Sequence, residues 1–283
     1  MIGPDFNNLC RIVKERSGLH LTGSRMPMVA SRLAPIAQRL GHRSVQEFLA
    51  RLRFESSEDI WAQIIDALTT YETSFFRDPA QFDALRRILL PDLMRKRADE
   101  RRIRILSVAC SHGQEPYTLA MLATGMNLPE KGWRVEITAT DNSASALARA
   151  KRAHYSQFEL RRGLDEAMIA RYFLRDDTDY ALKAPLRNMV EFRKHNVLDG
   201  PDDLGQFDIV FCRNVLFYFD TQTKAAALAR LQPLTAHDGY LLMASSETNI
   251  GEAHGLVPHG KQRGVFRMPA NKTVPRFARA MTA

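Results

Sequence analysis

Cysteine is scarce in this chain. Three occur in 283 residues, at positions 10, 110 and 212, and no two form a C-x-x-C pair. That excludes a disulfide framework, and each reads as a small buried apolar residue. Long apolar runs are missing too, and none approaches the roughly 20 residues that a membrane span needs. Residues 1–18, MIGPDFNNLCRIVKERSG, lack the basic-then-apolar plan of a signal peptide. These absences lead to the expectation of a cytoplasmic protein with no direct membrane insertion. Internal repeats and low-complexity segments are absent as well. The net charge is +8, yet the basic residues are scattered and form no polybasic tail. Such a charge favours an acidic partner, whether nucleic acid, an anionic membrane or an acidic protein surface, and does not choose among them.

What is present falls into two rhythms. Residues 1–70 read as helices. Pro27 suits the first turn of a helix whose apolar positions include Val29, Leu33, Ile36, Ala37 and Leu40, and Gly41 stops it. Arg25, Arg32 and Arg39 recur every seven residues beside that apolar face. The stripe reads either as a solvated helix edge or as a docking surface for an acidic helical partner. Further helices run through Val45, Phe48, Leu49 and Leu52, and through Ile60, Trp61, Ile64, Ile65 and Leu68.

Near residue 100 the rhythm changes. Strands are expected at 103–110, 135–141, 189–197, 207–214 and 239–247, with helices at 115–124, 143–153 and 221–234. Such alternation predicts an α/β architecture, a parallel sheet covered by helices on both faces. Sheets of this kind bind ligands at the carboxyl ends of their strands.

The turn after the first strand is AlaCysSerHisGly (109–113), followed by Glu115. Only Gly113 is a glycine, so this is no G-x-G-x-x-G fingerprint, and a pyrophosphate cradle is disfavoured. An acidic group there would repel a phosphate but hold an ammonium or a hydroxyl; it also reads as a carboxylate favoured by the helix dipole. The second strand ends in Asp141, placed either to take ribose hydroxyls or to cap a helix. Two carboxylates without a phosphate cradle fit a nucleoside carrying an amino-acid-like cation, as in S-adenosylmethionine. Asn196, Val197, Arg213 and Asn214 follow the next strands, and LeuPheTyrPhe (216–219) puts Tyr218 near the active edge.

The segments TTYETSFFRDP (69–79), ACSHGQEPYTLAM (109–121), ATDNSASALARAK (139–151), FDIVFCRNVLFYF (207–219) and LLMASSE (241–247) resemble successive motifs of the chemotaxis receptor (methyl-accepting chemotaxis protein) glutamate O-methyltransferases, the CheR-type family. The resemblance covers nearly the whole chain in order. It implies an all-helical N-terminal receptor-docking domain (1–75) and a linker helix (76–98). After these it implies a class I methyltransferase, Rossmann-like sheet (99–283) whose last strands pair antiparallel, with a small inserted β-subdomain at about 154–195.

The same resemblance assigns roles. Thr73 and Arg77 cover the cofactor, Glu115 holds its amino group and Asp141 its ribose. Asn196, Val197, Arg213 and Asn214 complete the pocket, and Arg77 and Tyr218 lie next to the transferred methyl as the catalytic pair. Tyr71 stands where the family has Asn, so its cofactor contact is the weakest of the set. His112 and Gln114 also depart from the family pattern, and no general-base role is expected of His112. The cofactor is S-adenosylmethionine, the product S-adenosylhomocysteine, and no metal is required. The expected partner is the cytoplasmic helical bundle of transmembrane chemoreceptors at the inner face of the membrane, met by a monomer through Arg25, Arg32 and Arg39. The stretch 175–188 is short and has no glycine for a hairpin loop. Independence from a receptor C-terminal tail peptide is therefore expected. The readings weighed against this one are a methyltransferase acting on RNA or a small molecule, a cofactor-sensing module that has lost transfer, and a nicotinamide enzyme, the last disfavoured by the missing glycine fingerprint.

Overall fold

The structure, a computed structural model, describes residues 3–52, 54, 57–200 and 204–268. Residues 1–2 of the expected helical domain and 269–283 of the expected methyltransferase domain lie outside the described residues. The chain divides into two compact units, Met1–Tyr71 with Tyr218–Thr223, and Glu72–Phe217 with Lys224–Ala283.

The first unit packs four helices, Pro4–Ser17, Met26–Arg39, Val45–Arg51 and Glu58–Leu68. Their periodic apolar positions converge: Leu9, Val13, Val29, Leu33, Phe48, Trp61 and Ile64 are buried together. Ser44 and Ser57 accept the backbone N–H of Glu47 and Ile60, which starts the third and fourth helices. Gly41 takes φ +82°, and the N–H groups of Gly41 and His42 bond back to Gln38 and Ala37. That left-handed turn ends the second helix as its sequence predicts. Cys10 is half-buried, a departure from the expected burial, while Cys110 and Cys212 are buried.

Among its described residues the second unit holds ten strands: β1 Arg102–Val108, β2 Arg134–Asp141, β3 His154–Ser156, β4 Phe173–Asp176, β5 Asp179–Leu182, β6 Val190–Lys194, β7 Phe207–Cys212, β8 Thr235–Leu242, β9 Val257–Pro258 and β10 Val265–Arg267. Seven form one sheet in the order β6-β2-β1-β7-β8-β10-β9. β6, β2, β1, β7 and β8 run parallel, and β10 and β9 pair antiparallel at the edge. Central strands are buried on both faces, which is why 105–108 and 207–212 are apolar apart from Ser107 and Asp208. Strand order reverses between β1 and β7, and the carboxyl ends open a crevice there. This is the expected α/β fold, with a mixed edge.

The inserted β-subdomain is a three-stranded sheet in the order β3-β5-β4. Asp176 pairs with Asp179, so β4 and β5 are joined by Asp177 and Thr178 alone. Asp177 adopts φ +47° and does the work expected of a glycine, because an aspartate tolerates the left-handed region. Gly163, in the same insertion, lies against residues 72–78, and a Cβ there would come within 1.9 Å of the Phe75 carbonyl oxygen.

Helix Pro79–Ala84 passes through a π turn, Leu85–Leu89, into helix Leu90–Lys96. Pro91 explains the widening: its ring would clash with the carbonyl four residues back in a regular helix. Among the described residues no helix is long and apolar enough to cross a membrane.

Candidate cofactor site

The loop after β1 is built from backbone conformations that side chains resist. Ala109, Ser111 and Gly113 all take positive φ, at +55°, +54° and +91°. A Cβ on Gly113 would meet Ala150, Tyr117 and Tyr155 at 3.0–3.1 Å. Only glycine fits there without displacing a neighbour, and helix Gln114–Gly125 starts at once.

Asp141, at the tip of β2, is buried and fixes this loop to its neighbour. Its Oδ2 accepts the Ser111 N–H at 2.8 Å and its Oδ1 the Ser143 N–H at 2.9 Å. Ser143 in turn caps helix Ala144–Arg152, so the capping role falls to Ser143 and not to Asp141.

Glu115 lies in the first turn of its helix. Ser107 Oγ, on β1, donates to Oε1 at 2.8 Å, and Arg213 Nη1 donates to Oε2 at 3.1 Å. Burial pushes the Glu115 carboxyl above its ordinary range, and the Arg213 charge and the Ser107 hydroxyl oppose that rise. Arg213, the first residue after β7, is 1% exposed along its side chain. Its Nη2 reaches the Arg77 carbonyl and Asp78 Oδ2, the latter at 3.1 Å, and its guanidinium lies over the Phe82 ring. One cation thus joins Glu115 to the segment carrying Thr73 and Arg77.

That segment is fixed from other sides. The Phe76 N–H donates to Thr118 Oγ1 at 3.1 Å, and Arg77 Nη1 donates to the Glu72 carbonyl at 2.6 Å. Thr73 is half-buried in the extended stretch before it. β6 stops at Lys194, short of the expected 197, because Asn196 diverts the chain. Its Oδ1 accepts the Leu198 N–H at 3.0 Å and its own N–H donates to Asp199, an Asx-type turn. Val197 is buried behind it. Asn214 follows β7 at φ +60°, with its N–H on Glu247 Oε2 at 2.9 Å.

The remaining expected residues belong to the helical unit. The Tyr71 hydroxyl donates to Asp66 at 3.0 Å. Tyr218 packs against the helical core, and its carbonyl accepts the His20 N–H at 2.9 Å. Arg25 and Arg39 are exposed, and Arg39 donates to Gln63. Arg32 is different. Its guanidinium donates to the carbonyls of Leu68 and Thr69 at 3.0 and 3.1 Å and to the Thr70 hydroxyl, so it caps helix Glu58–Leu68. The periodicity that placed it in a surface stripe carries no sign of that duty.

Four functional neighbours were not legible as such: Ser107, Asp78, Glu247 and the Arg213 guanidinium as a clamp. Asp78, Glu247 and Arg213 act through contacts between segments distant in sequence, and Ser107 through a contact from strand to helix. Burial of a carboxylate after a strand, as at Glu247, leaves no signature in the residue string.

His112 faces Arg149 Nη1 at 3.3 Å through Nδ1. Burial first and the Arg149 charge second hold its pKa at about 4. At neutral pH it is uncharged and a weak base. Burial likewise pushes the Cys110 and Cys212 thiols well up, so neither is a thiolate.

The residues fit a nucleoside with an amino-acid cation. One carboxylate ends β2 and the other opens the helix after the neighbouring β1, and Ser111 Oγ and Arg213 Nε are buried with no hydrogen-bond partner. Comparison with known proteins agrees. Residues 71–260 match the family described as CheR methyltransferase, SAM binding domain, and residues 4–69 match its all-alpha domain. The chain is 35% identical over 87% of its length to chemotaxis protein methyltransferase Cher2 of Pseudomonas putida, covering 91% of that protein. It is 36% identical over 89% of its length to chemotaxis protein methyltransferase 1 of Pseudomonas aeruginosa, covering 94% of it. Against the Escherichia coli chemotaxis protein methyltransferase the identity is 33%, over 86% of this chain and 83% of that one. The chain therefore belongs to the CheR methyltransferase family, and its second unit carries that family's S-adenosylmethionine-binding domain.

Proposed function

We propose that this enzyme methylates glutamate side-chain carboxylates of chemotaxis receptors, forming methyl esters for sensory adaptation. The observation that carries the reading is the chemistry left in the site: its histidine is a weak base and its two thiols are buried and neutral. An amine or hydroxyl acceptor would have to shed a proton, whereas a glutamate, with an ordinary pKa near 4.3, arrives ionised. The bound cofactor supplies a sulfonium methyl, which the carboxylate oxygen takes by in-line displacement to give the ester and S-adenosylhomocysteine.

Glu115 is assigned to the cofactor's ammonium and Asp141 to its ribose. Thr73, Asn196, Val197 and Asn214 complete the pocket, and Arg213 holds Glu115 in place. Tyr71 is the weakest assignment. Arg77, whose guanidinium fork suits a carboxylate, orients the acceptor, and Tyr218 donates near the methyl without competing as a nucleophile. The test is transfer of radiolabelled methyl to receptor-rich membranes, followed by mild alkali. Label on the receptor band released as methanol is expected, and Arg77→Ala should lower turnover more than cofactor affinity. Alkali-stable label would reassign the acceptor.

The receptor's cytoplasmic helical bundle is the proposed partner, and Arg25 and Arg39 the docking charges. Because Arg32 caps a helix, its reversal would confound folding with docking. Arg25→Glu with Arg39→Glu should cut receptor methylation at least about fivefold at low salt and less at high salt, with cofactor affinity intact. Equal methylation by the double variant would rule the face out. The two-residue β4–β5 turn supports independence from a receptor tail, since it offers no extended hairpin loop. Calorimetric titration with an isolated receptor C-terminal peptide should give no heat; millimolar or tighter binding would overturn this.

A further inference from the structure

Glu247 is a buried carboxylate to which no role has been assigned. It closes the 3-10 turn Ser245–Glu247 after β8 and is 1% exposed. Its Oε2 accepts the N–H of Asn214 at 2.9 Å and of Ala244 at 3.2 Å, and its Oε1 accepts the N–H of Phe217 at 3.2 Å. The Leu216 N–H is a fourth donor. Three of these four donors come from the loop that follows β7.

A lone buried carboxylate is costly: burial pushes the Glu247 carboxyl above its ordinary range, and the four convergent N–H groups oppose that rise. The loop needs such an acceptor. Asn214 is held at φ +60°, which a side chain adopts reluctantly, and Asn214, Leu216 and Phe217 all present their N–H groups to the same interior point. Water, or a neutral acceptor, would satisfy some of these donors but would not fix all three at once. Glu247 arrives from a different strand, so the shape of the β7 loop depends on a residue more than thirty positions later.

We propose that Glu247 is a positioning residue for cofactor binding: it holds the Asn214–Phe217 backbone in the shape that presents Asn214 to S-adenosylmethionine. The inference rests on the proposed place of Asn214 in the cofactor site and is independent of the acceptor's identity.

The test uses the full-length protein, Glu247→Gln, and calorimetric titration with S-adenosylhomocysteine, alongside amide hydrogen exchange of peptides covering 213–219. The carboxamide keeps size but offers one acceptor oxygen and turns an NH2 toward N–H donors. Affinity should fall at least about tenfold at unchanged stoichiometry, with loop amides exchanging at least about tenfold faster, because charge-assisted bonds to the loop are lost. A merely structural role would lower the melting temperature and leave the affinity of the folded protein alone. Should the Gln variant not fold, Glu247→Asp keeps the charge one methylene shorter and should weaken binding to a smaller degree. Affinity of the folded Gln variant within twofold of the parent overturns the proposal, whatever the loop exchange does, and the same limit applies to the Asp variant only if the Gln variant does not fold. Failure of the parent enzyme to methylate a receptor would overturn the proposed acceptor and leave this result intact.

Discussion

Arg213→Met is expected to lower the melting temperature by about 6–12 °C and to weaken S-adenosylhomocysteine binding at least about tenfold. Removing one partner of a buried ion pair costs about 3–5 kcal/mol, because the other charge stays behind. Here Asp78 is 36% exposed along its side chain, so water takes up part of its charge and the lower end applies, about 3 kcal/mol. For a chain of this size each kcal/mol moves the midpoint by about 2–4 °C. Binding suffers because Glu115 loses the cation that opposes its burial. Its pKa, already raised by burial, rises further, and a protonated Glu115 cannot hold an ammonium. The affinity loss should therefore be larger at pH 6 than at pH 8. Arg213→Lys keeps the charge but loses the fork that reaches Glu115, Asp78 and the Arg77 carbonyl together. Recovery of less than half the lost binding energy is expected from it. Scanning calorimetry and titration at the two pH values check this; a midpoint within 2 °C of the parent would refute the clamp.

Asp141→Asn should weaken S-adenosylhomocysteine by about 30-fold to 1000-fold, equivalent to about 2–4 kcal/mol. Both Asp141 oxygens already accept a backbone N–H, from Ser111 and Ser143. The amide must turn its NH2 toward one of these donors, which costs about 1–3 kcal/mol for the group left unsatisfied. It also loses the charge that strengthens bonds to the ribose hydroxyls. Circular dichroism should confirm a folded protein, and a loss under threefold would remove Asp141 from the cofactor site.

The sheet was legible because its strands are buried on both faces and leave mostly apolar runs between helical periods. Ends of elements were less legible. β6 falls three residues short because Asn196 bonds to its own neighbours, a local competition invisible to apolar patterning. Asp177 closes a hairpin where a glycine was looked for, since an aspartate also tolerates the left-handed region.

By itself the sequence determined the alternation that makes an α/β sheet, the caps and stops of the N-terminal helices, the carboxylates that follow β1 and end β2, and membership of a methyltransferase family. These follow from periodicity, local hydrogen bonding and motif order, which are properties of neighbours along the chain. The tertiary structure decided the partners of the charges. It tied Arg213 to Glu115 and Asp78, set Arg32 on the end of a helix, and buried Glu247 beneath the β7 loop. Charge pairing and burial depend on distances between segments that are far apart in sequence, and only the folded chain sets those distances.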